Sequence, residues 1–383
     1  MMKKSIVILF VLGTLVLSLA ACGGQVQQAV EEAAPTVQAA VEEVAPTVQA
    51  AVEEAAPTVQ AAVEEAATAV GEAAQEDLAE GGGNYVLVPK NLGNPYFDTA
   101  NVGAQEAAGE LGVEVTYQGS AVADATEQIQ LLNSLIAQNV DGLAISANDA
   151  DALVPTGQEA MAAGIPVVTW DSAIAPEGRN VHVVQAESDG IAEVQLQMAS
   201  DLAGGEGEIA ILSATSTAPN QNEWIALMEE KLPDYPGLNL VATVYGDDED
   251  EKSYNEAIGL MQTYPDLKVI IAPTTVGIAA SARAVQDAER VGEVFVTGLG
   301  TPNQMREYVE SGASPQFALW NPADLGYLAI YTLNAIASGA IAGEPGDSYD
   351  AGKLGSYTIR DDGTVLLGPP TVFDENNIND FDF

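Results

Sequence analysis

From residue 84 onward, short apolar runs alternate with longer stretches in which apolar residues recur every three or four positions. The first pattern predicts buried β-strands, and the second predicts amphipathic helices such as 124–138, with Ile129, Leu132 and Leu135 on one face. The predicted strands are 85–89, 113–117, 142–146, 165–170, 181–185, 208–213, 239–245, 268–272, 294–299 and 316–320. The predicted helices are about 97–111, 124–138, 150–163, 188–203, 222–231, 250–264, 276–290, 303–312 and 322–338.

This alternation predicts an α/β fold with parallel sheets, because strands separated by helices of this length are joined by right-handed crossovers. The strands fall into two similar runs, so we predict two doubly wound parallel-sheet lobes; one large sheet is the alternative. In such sheets ligands bind beyond the carboxyl ends of the strands. We therefore expect the ligand-binding site among the residues that follow each strand.

Residues 1–22 have the pattern of an export signal. A basic MMKK start precedes 16 apolar positions, Ser5 to Ala20, fewer than the roughly 20 that a spanning helix needs. The only Cys of the chain, Cys22, follows Leu-Ala-Ala, which resembles a bacterial lipobox. That resemblance implies cleavage before Cys22, lipidation of its thiol and a membrane anchor outside the cytoplasm, in the cell envelope or periplasm. An ordinary secretory signal with an incidental Cys is the alternative.

Residues 23–83 carry an 11-residue repeat, VEEAAPTVQAA at 30–40 with close copies at 41–51 and 52–62. Each copy contains a Pro, which costs about 3 kcal/mol inside a helix. The segment has 12 acidic residues and no basic ones, and like-charge repulsion extends such a chain. We interpret it as an acidic stalk; a coiled coil that drives oligomerisation is the alternative.

Composition excludes several functions. Twelve Lys and Arg stand against 56 Asp and Glu, a net charge of −44, so nucleic acid is not an expected partner. One Cys permits no internal disulfide, and one His, His182, excludes multi-His metal sites. The sequence has no GxSxG, GxxxxGK[ST] or complete GxGxxG motif. We therefore expect no enzyme, no cofactor and no metal, and interpret His182 as structural.

The strand ends offer hydroxyls, amides, one cation, one carboxylate and aromatic rings. This is chemistry suited to a sugar, whose hydroxyls need planar polar partners and whose ring faces stack on aromatic side chains. The candidate ligand-binding residues are Lys90, Tyr96, Phe97, Asn148, Asp171, Asn220, Gln221, Pro273, Thr275, Trp320 and Asn321. Which of Tyr96, Phe97 and Trp320 face the ligand is open at this point. The acidic run 247–251 lacks EF-hand spacing and is interpreted as a solvated loop.

Long motifs give the chain a family resemblance. The matching stretches are VPKNLGNPYFDTANVGAQEAAGELGVEVTYQG (88–119), VVTWDS (167–172), NQNEW (220–224), IIAPTTVGIAASA (270–282), GLGTPNQMREYV (298–309) and FALWNPADLGYLA (317–329). They resemble the type I periplasmic sugar-binding proteins of ABC importers, closest to the rhamnose-binding and autoinducer-2-binding branch. The resemblance implies a monomeric receptor that delivers a sugar to an ABC importer permease.

The resemblance also implies two lobes joined by three crossovers, near 186–188, 319–322 and 352–354. The amino-terminal lobe is then 84–186 plus 322–352, and the carboxyl-terminal lobe is 187–321 plus 353–383. A transcription regulator with the same two-lobed core is the alternative from another class. It needs a basic DNA-binding headpiece, and this chain has a signal peptide and an acidic stalk in that place.

In the autoinducer-2 receptors the family site uses residues that correspond to Lys90, Asp171 and Pro273. This chain departs at two further positions, with Asn220 in place of the Asp of an Asp-Gln pair and Thr275 in place of an Ala. Asn both donates and accepts hydrogen bonds, whereas a carboxylate only accepts. We therefore predict a neutral rhamnose-like 6-deoxyhexose as ligand, with autoinducer-2 as the alternative.

Overall fold

The structure, a computed structural model, describes residues 82–383. The signal peptide, Cys22 and residues 23–81 of the stalk predicted above lie outside the described residues. The first half of the described chain contains β1 Asn84–Val88, α1 Pro95–Leu111, β2 Glu114–Tyr117, α2 Ala125–Ala137, β3 Gly142–Ile145, α3 Val154–Ala162, β4 Val167–Trp170, β5 Val181–Val184, α4 Ser188–Ala203, β6 Gly207–Ser213 and α5 Pro219–Lys231.

The second half contains β7 Leu238–Tyr245, α6 Asp250–Thr263, β8 Leu267–Ala272, α7 Thr275–Asp287, β9 Phe295–Gly298, α8 Pro302–Ser311, β10 Phe317–Leu319, α9 Pro322–Ala337, β11 Ser348–Asp350, β12 Ser356–Thr358, β13 Thr364–Leu366 and β14 Thr371–Phe373. Every strand and helix predicted from the hydrophobic pattern is present. The short strands β11 to β14 were not predicted.

Two parallel sheets organise these elements. The first has the strand order β13-β5-β4-β3-β1-β2. The second has the order β7-β6-β8-β9, and a bridge between Leu299 and Ala318 continues it to β10, which pairs antiparallel with β14. We call the first sheet with its covering helices the amino lobe and the second the carboxyl lobe. The two doubly wound parallel-sheet lobes predicted from the sequence are therefore observed.

Each sheet is buried on both faces, as its apolar strands require. In the amino lobe Tyr85 and Leu87 point to one core cluster, and Val86 and Val88 point to another on the opposite face. Helices α1 and α9 cover the first of these faces. They touch at Gly103 and Gly326, where a Cβ on either residue would overlap a backbone carbonyl of the other helix. This close contact fixes the start of α1, which carries two candidate site residues.

The position of the third crossover differs from the expectation of 352–354. Thr364–Leu366 forms β13 and pairs in parallel with β5 of the amino lobe, and the Leu367 and Gly368 N–H groups still donate to backbone oxygens of that lobe. The chain therefore crosses to the carboxyl lobe only between Gly368 and β14. The β11–β12 hairpin also belongs to the amino lobe, since the Lys353 N–H beside it donates to the Tyr327 hydroxyl of α9 at 3.1 Å. Residues 353–366 therefore pack with the amino lobe and not, as expected, with the carboxyl lobe.

Among residues 82–383, no helix is both long enough and apolar enough to cross a membrane.

Candidate functional site

A polar cluster joins the two lobes where the strands of both sheets end. Lys90, after β1, and Asp171, directly after β4, come from the amino lobe and are only 3% and 5% exposed. Asn220, in the first turn of α5, comes from the carboxyl lobe. Lys90 Nζ donates to Asn220 Oδ1 at 2.8 Å and lies 3.5 Å from Asp171 Oδ2. Asn220 Nδ2 donates to the Asp171 backbone oxygen at 3.3 Å, which closes the cluster.

Asp171 is held in place from several sides. Its φ angle is +61°, in the left-handed region of the backbone. This conformation costs free energy for every residue except Gly, and among the other residues the cost is smallest for Asn and Asp. The Ser146 hydroxyl, after β3, donates to Asp171 Oδ2 at 2.8 Å. The Tyr96 hydroxyl donates to Oδ1 at 3.1 Å. These bonds fix a carboxylate that can accept hydrogen bonds from ligand hydroxyls.

Four aromatic rings form one wall beside this carboxylate: Tyr96, Phe97, Trp224 and Trp320. Tyr96 lies edge-on to Phe97 at 5.1 Å and to Trp320 at 6.1 Å between ring centroids. Trp320 Nε1 donates to the Tyr96 hydroxyl at 2.8 Å. Burial, with the Asp171 charge second, raises the pKa of Tyr96 well above its usual value, so the hydroxyl stays protonated as a donor. Tyr96, Phe97 and Trp320 all line the cavity.

The carboxyl lobe also contributes Gln221, Pro273 and Thr275 to the lining of the cavity. Gln221 Oε1 accepts hydrogen bonds from the Ser213 hydroxyl and the Ala214 N–H, both at 3.0 Å, so only its Nε2 end can serve a ligand. The Thr275 hydroxyl donates to Asn94 Oδ1 of the amino lobe at 3.3 Å. Thr275 therefore forms a further contact between the two lobes.

Two predicted site residues lie outside the cavity wall. Asn148 Nδ2 donates to the backbone oxygen of Lys90 at 2.9 Å, and so holds the loop that presents Lys90. Asn321 caps α9, where its Oδ1 accepts the Ala323 N–H at 2.9 Å. Both side chains are engaged by local backbone groups, a competing role that Asn at a strand end or helix start commonly takes. Asn148 Oδ1 is buried without a hydrogen-bond partner among the described residues, so Asn148 keeps one free acceptor.

Asp248 is a wall residue that the sequence interpretation missed. It follows β7 in the acidic run taken above for a solvated loop, yet it is only partly exposed and lines the cavity. Asp247 and Asp248 both have left-handed backbones, with φ of +56° and +55°, and these turn the Asp248 side chain inward. The Thr274 hydroxyl donates to Asp248 Oδ1. The signal that could have found Asp248 is its place after a strand, as for Lys90 and Asp171.

Burial raises the pKa of Asp248. The hydrogen bond from Thr274 and the Lys90 charge oppose this shift, and the charges of Asp171 and Asp247 add to it. Below the usual Asp pKa of about 3.9 the residue is protonated in both the folded and the unfolded protein. As the pH rises through the raised folded-state pKa, stability is lost, because ionisation then favours the unfolded chain.

We therefore expect Asp248→Asn to be more stable than the native protein at pH 7 and nearly equal to it at pH 4, measured by urea unfolding. The matched control is Glu249→Gln, which removes an exposed carboxyl from the same loop. Parallel pH profiles for Asp248→Asn and the native protein would show that the Asp248 environment has been described wrongly.

The cavity enclosed by these walls is narrow. Its volume is about 30 Å³, room for no more than a few water molecules. The wall residues are Lys90, Asn94, Tyr96, Phe97, Asp171, Asn220, Gln221, Trp224, Asp248, Pro273, Thr274, Thr275, Leu299, Leu319 and Trp320. They combine fixed donors and acceptors with aromatic faces. Within residues 82–383 no group of three His, Cys, Asp or Glu side chains is arranged to hold a metal ion.

Comparison with known proteins identifies the class. Residues 82–341, more than half of the chain, match the family described as periplasmic binding protein domain. The chain belongs to this family, as a type I member of the sugar-binding ABC substrate-binding proteins. Its relatives are extracytoplasmic solute-binding proteins and not enzymes.

Three solved structures show how far the similarity extends. A sugar ABC transporter protein of Actinomyces odontolyticus is 46% identical, with 79% of this chain and 98% of that chain covered and a TM-score of 0.64. A solute-binding protein of Clostridium phytofermentas with bound L-rhamnose is 39% identical, with 78% and 97% covered and a TM-score of 0.75. LsrB of Clostridium saccharobutylicum in complex with autoinducer-2 is 26% identical, with 78% and 100% covered and a TM-score of 0.75.

Proposed function

We propose that this protein is a lipid-anchored receptor that binds a neutral 6-deoxyhexose, L-rhamnose or a close relative, and delivers it to an ABC importer permease. The observation that carries the proposal is the cluster of Lys90, Asp171 and Asn220 between the lobes. One buried cation, one buried carboxylate and one amide converge there from strand and helix ends. Together they offer donors and acceptors to adjacent ring hydroxyls.

Charge favours a neutral ligand. Asp171 and Asp248 line the cavity together with the single cation Lys90, so an acidic sugar would meet an excess of carboxylates. The aromatic wall favours a ring with an apolar face over an open polar chain. Trp320 and Trp224, 6.1 Å apart between ring centroids, provide a surface of that kind.

Asn220 and Thr275 favour rhamnose over autoinducer-2. Asn220 Oδ1 accepts a hydrogen bond from Lys90, and Asn220 Nδ2 donates one to the Asp171 backbone oxygen. The side chain is therefore both a donor and an acceptor in the site. Thr275 adds a methyl group that can contact the apolar edge of a deoxy sugar. The 39% identical neighbour carries L-rhamnose, and the less similar 26% identical neighbour carries autoinducer-2. Autoinducer-2 reception is the second candidate function.

Binding involves movement of the lobes. A cavity of about 30 Å³ does not admit a hexose, so the lobes must separate about the three crossovers for the sugar to enter. Hinge closure around a ligand is the known mode of periplasmic binding proteins. The ligand shifts the equilibrium toward closure only through contacts that it makes better in the closed form. In this protein those contacts come from Asn220 and Thr275 on one lobe and Lys90 and Asp171 on the other.

Calorimetric titration of the mature protein with L-rhamnose and with autoinducer-2 tests the proposed ligand. We expect a single saturable site for L-rhamnose with an affinity at least tenfold higher than for autoinducer-2. Tighter binding of autoinducer-2 would overturn the rhamnose proposal in favour of the second candidate. Binding of neither ligand would overturn both.

The anchor is tested separately at Cys22. If Cys22 is the lipidated first residue of the mature protein, Cys22→Ser cannot be acylated, and we expect the protein to move from the membrane fraction to the soluble fraction. Acyl chains contribute about 0.8 kcal/mol per buried CH₂, so their loss removes the binding to the membrane. Fractionation followed by immunoblotting measures the distribution, with Ser18→Ala in the same signal segment as the control. Unchanged membrane association of Cys22→Ser would contradict the anchor.

A further inference from the structure

A second cavity adjoins the site on the side of α5. It lies between α5 of the carboxyl lobe and the β5–β13 edge of the amino lobe, and we call it the side groove. Its volume is about 470 Å³, against about 30 Å³ for the site cavity. Asp171, Asn220 and Trp224 line both cavities. The side groove therefore shares part of its wall with the site.

Several polar groups that line the side groove can form further hydrogen bonds. Gln185 is 1% exposed, lines the groove, and its Oε1 has no hydrogen-bond partner in the part of the chain that the structure describes. Arg179 donates from Nε and Nη1 to the backbone oxygens of Ile174 and Gly363 at 2.8 and 3.3 Å. Within residues 82–383 no carboxylate lies within ion-pair distance of Arg179, so its guanidinium is fixed but not neutralised by a direct contact.

His182 supplies a neutral group on the same wall. Its Nδ1 lies 3.1 Å from the Thr169 hydroxyl, and burial, followed by the nearby Arg179 charge, lowers its pKa to about 3. The imidazole is therefore uncharged at physiological pH and can donate or accept one hydrogen bond. A buried polar atom without a partner costs free energy, so a ligand group that donates a hydrogen bond to Gln185 Oε1 would be stabilised in the side groove.

The charges on the walls define the class of ligand. Two guanidinium groups, those of Arg179 and Arg360, face five carboxyls, and Arg360 is already paired with Glu187 at 2.7 Å. An anionic ligand would therefore meet net repulsion. A neutral, hydroxyl-rich group matches the mixture of amide, imidazole, guanidinium and carboxylate. The five carboxyls belong to Asp171, Glu187, Asp189, Glu223 and Asp362.

We propose that the side groove is a second sugar subsite, which accepts the neighbouring residue of a neutral disaccharide or glycoside whose first ring occupies the site between the lobes. The inference rests on the proposed function and extends the ligand class from a monosaccharide to short glycosides. Trp224, which lies on both cavities, forms the boundary between the two subsites. Asp171 and Asn220 serve the ring hydroxyls on either side of the glycosidic bond.

The test uses the full mature protein and calorimetry with L-rhamnose, D-ribose and D-allose, each as the free sugar and as disaccharides linked through each ring hydroxyl. For the monosaccharide that binds, we expect at least one of its disaccharides to bind within tenfold of it. Val184→Trp, on β5, and Leu227→Trp, on α5, fill the groove from opposite walls. Each should weaken the disaccharide at least tenfold and the monosaccharide less than threefold. Val291→Trp, at an exposed position, is the control.

Two failures are distinguishable. If D-ribose or D-allose and its disaccharide bind but L-rhamnose does not, the rhamnose proposal is wrong and the side-groove subsite stands. If a monosaccharide binds and every disaccharide is rejected, the subsite is wrong and the monosaccharide receptor stands. Equal weakening of both ligands by both Trp variants would also overturn the subsite, since it would show that the groove does not contact the second ring.

Discussion

Replacing Asp171 by Ala is expected to weaken L-rhamnose binding by roughly 10- to 150-fold, because a charge-assisted hydrogen bond contributes about 1.5–3 kcal/mol. The same change leaves the buried Lys90 ammonium without its carboxylate partner. Breaking a buried pair by removing one partner costs about 3–5 kcal/mol of stability. Calorimetry measures the first effect, and urea unfolding of the protein without sugar measures the second.

The control for Asp171→Ala is Glu106→Gln. Glu106 pairs with Lys353 on the surface, where both side chains are more than one third exposed. Exposed pairs contribute between 0 and about 1 kcal/mol, so little change in either measurement is expected. Normal sugar affinity in Asp171→Ala would mean that the site does not lie between the lobes where we place it.

The double variant Asn220→Asp with Thr275→Ala is expected to narrow or reverse the preference for L-rhamnose over autoinducer-2. Asn220 Nδ2 lies 3.4 Å from Asp171 Oδ1, so Asn220→Asp would bring a second carboxylate next to Asp171. The two negative charges would repel each other, and within the described part of the chain Lys90 would be the only cation in contact with both. Such a pair accepts hydrogen bonds but donates none, which suits a compact ligand rich in hydroxyl donors. Thr275→Ala removes the methyl group beside that ligand.

Titration of both ligands on both proteins measures this change, and we expect the ratio of affinities to shift at least tenfold toward autoinducer-2. The single variant Asn222→Asp is the control, because it adds the same charge to α5 at a residue whose Nδ2 donates to the Ser216 backbone oxygen, outside the site. An unchanged ratio in the double variant would show that specificity is set elsewhere in the cavity.

The strand-end rule explains why much of the site could be predicted. Lys90 and Asp171 follow parallel strands, and the carboxyl ends of such strands meet at one edge of a sheet, so their convergence follows from topology alone. Asn148 and Asn321 follow the same rule, yet Asn148 Nδ2 donates to the Lys90 backbone oxygen and Asn321 Oδ1 accepts from the Ala323 N–H. The sequence does not distinguish these two uses of Asn.

Asp248 and β13 show what sequence reasoning misses. A run of five acidic residues predicts a solvated loop, and only the two left-handed backbones at Asp247 and Asp248 turn one carboxyl inward. The strand β13 has three residues, too few for a periodic signal, and its partner β5 lies some 180 positions earlier in the chain. Its pairing depends on tertiary packing, which is why the third crossover was placed too early.

A crystal structure of the protein grown with L-rhamnose will show whether the sugar binds between the lobes. We expect one sugar enclosed there, with ring hydroxyls within hydrogen-bond distance of Lys90 and Asp171 and a ring face against Trp320 or Trp224. We also expect the site cavity to be wider than its present volume of about 30 Å³. A sugar bound on any other surface, or lobes in which the direct contact between Lys90 and Asn220 is retained at saturating sugar, would contradict the proposed site.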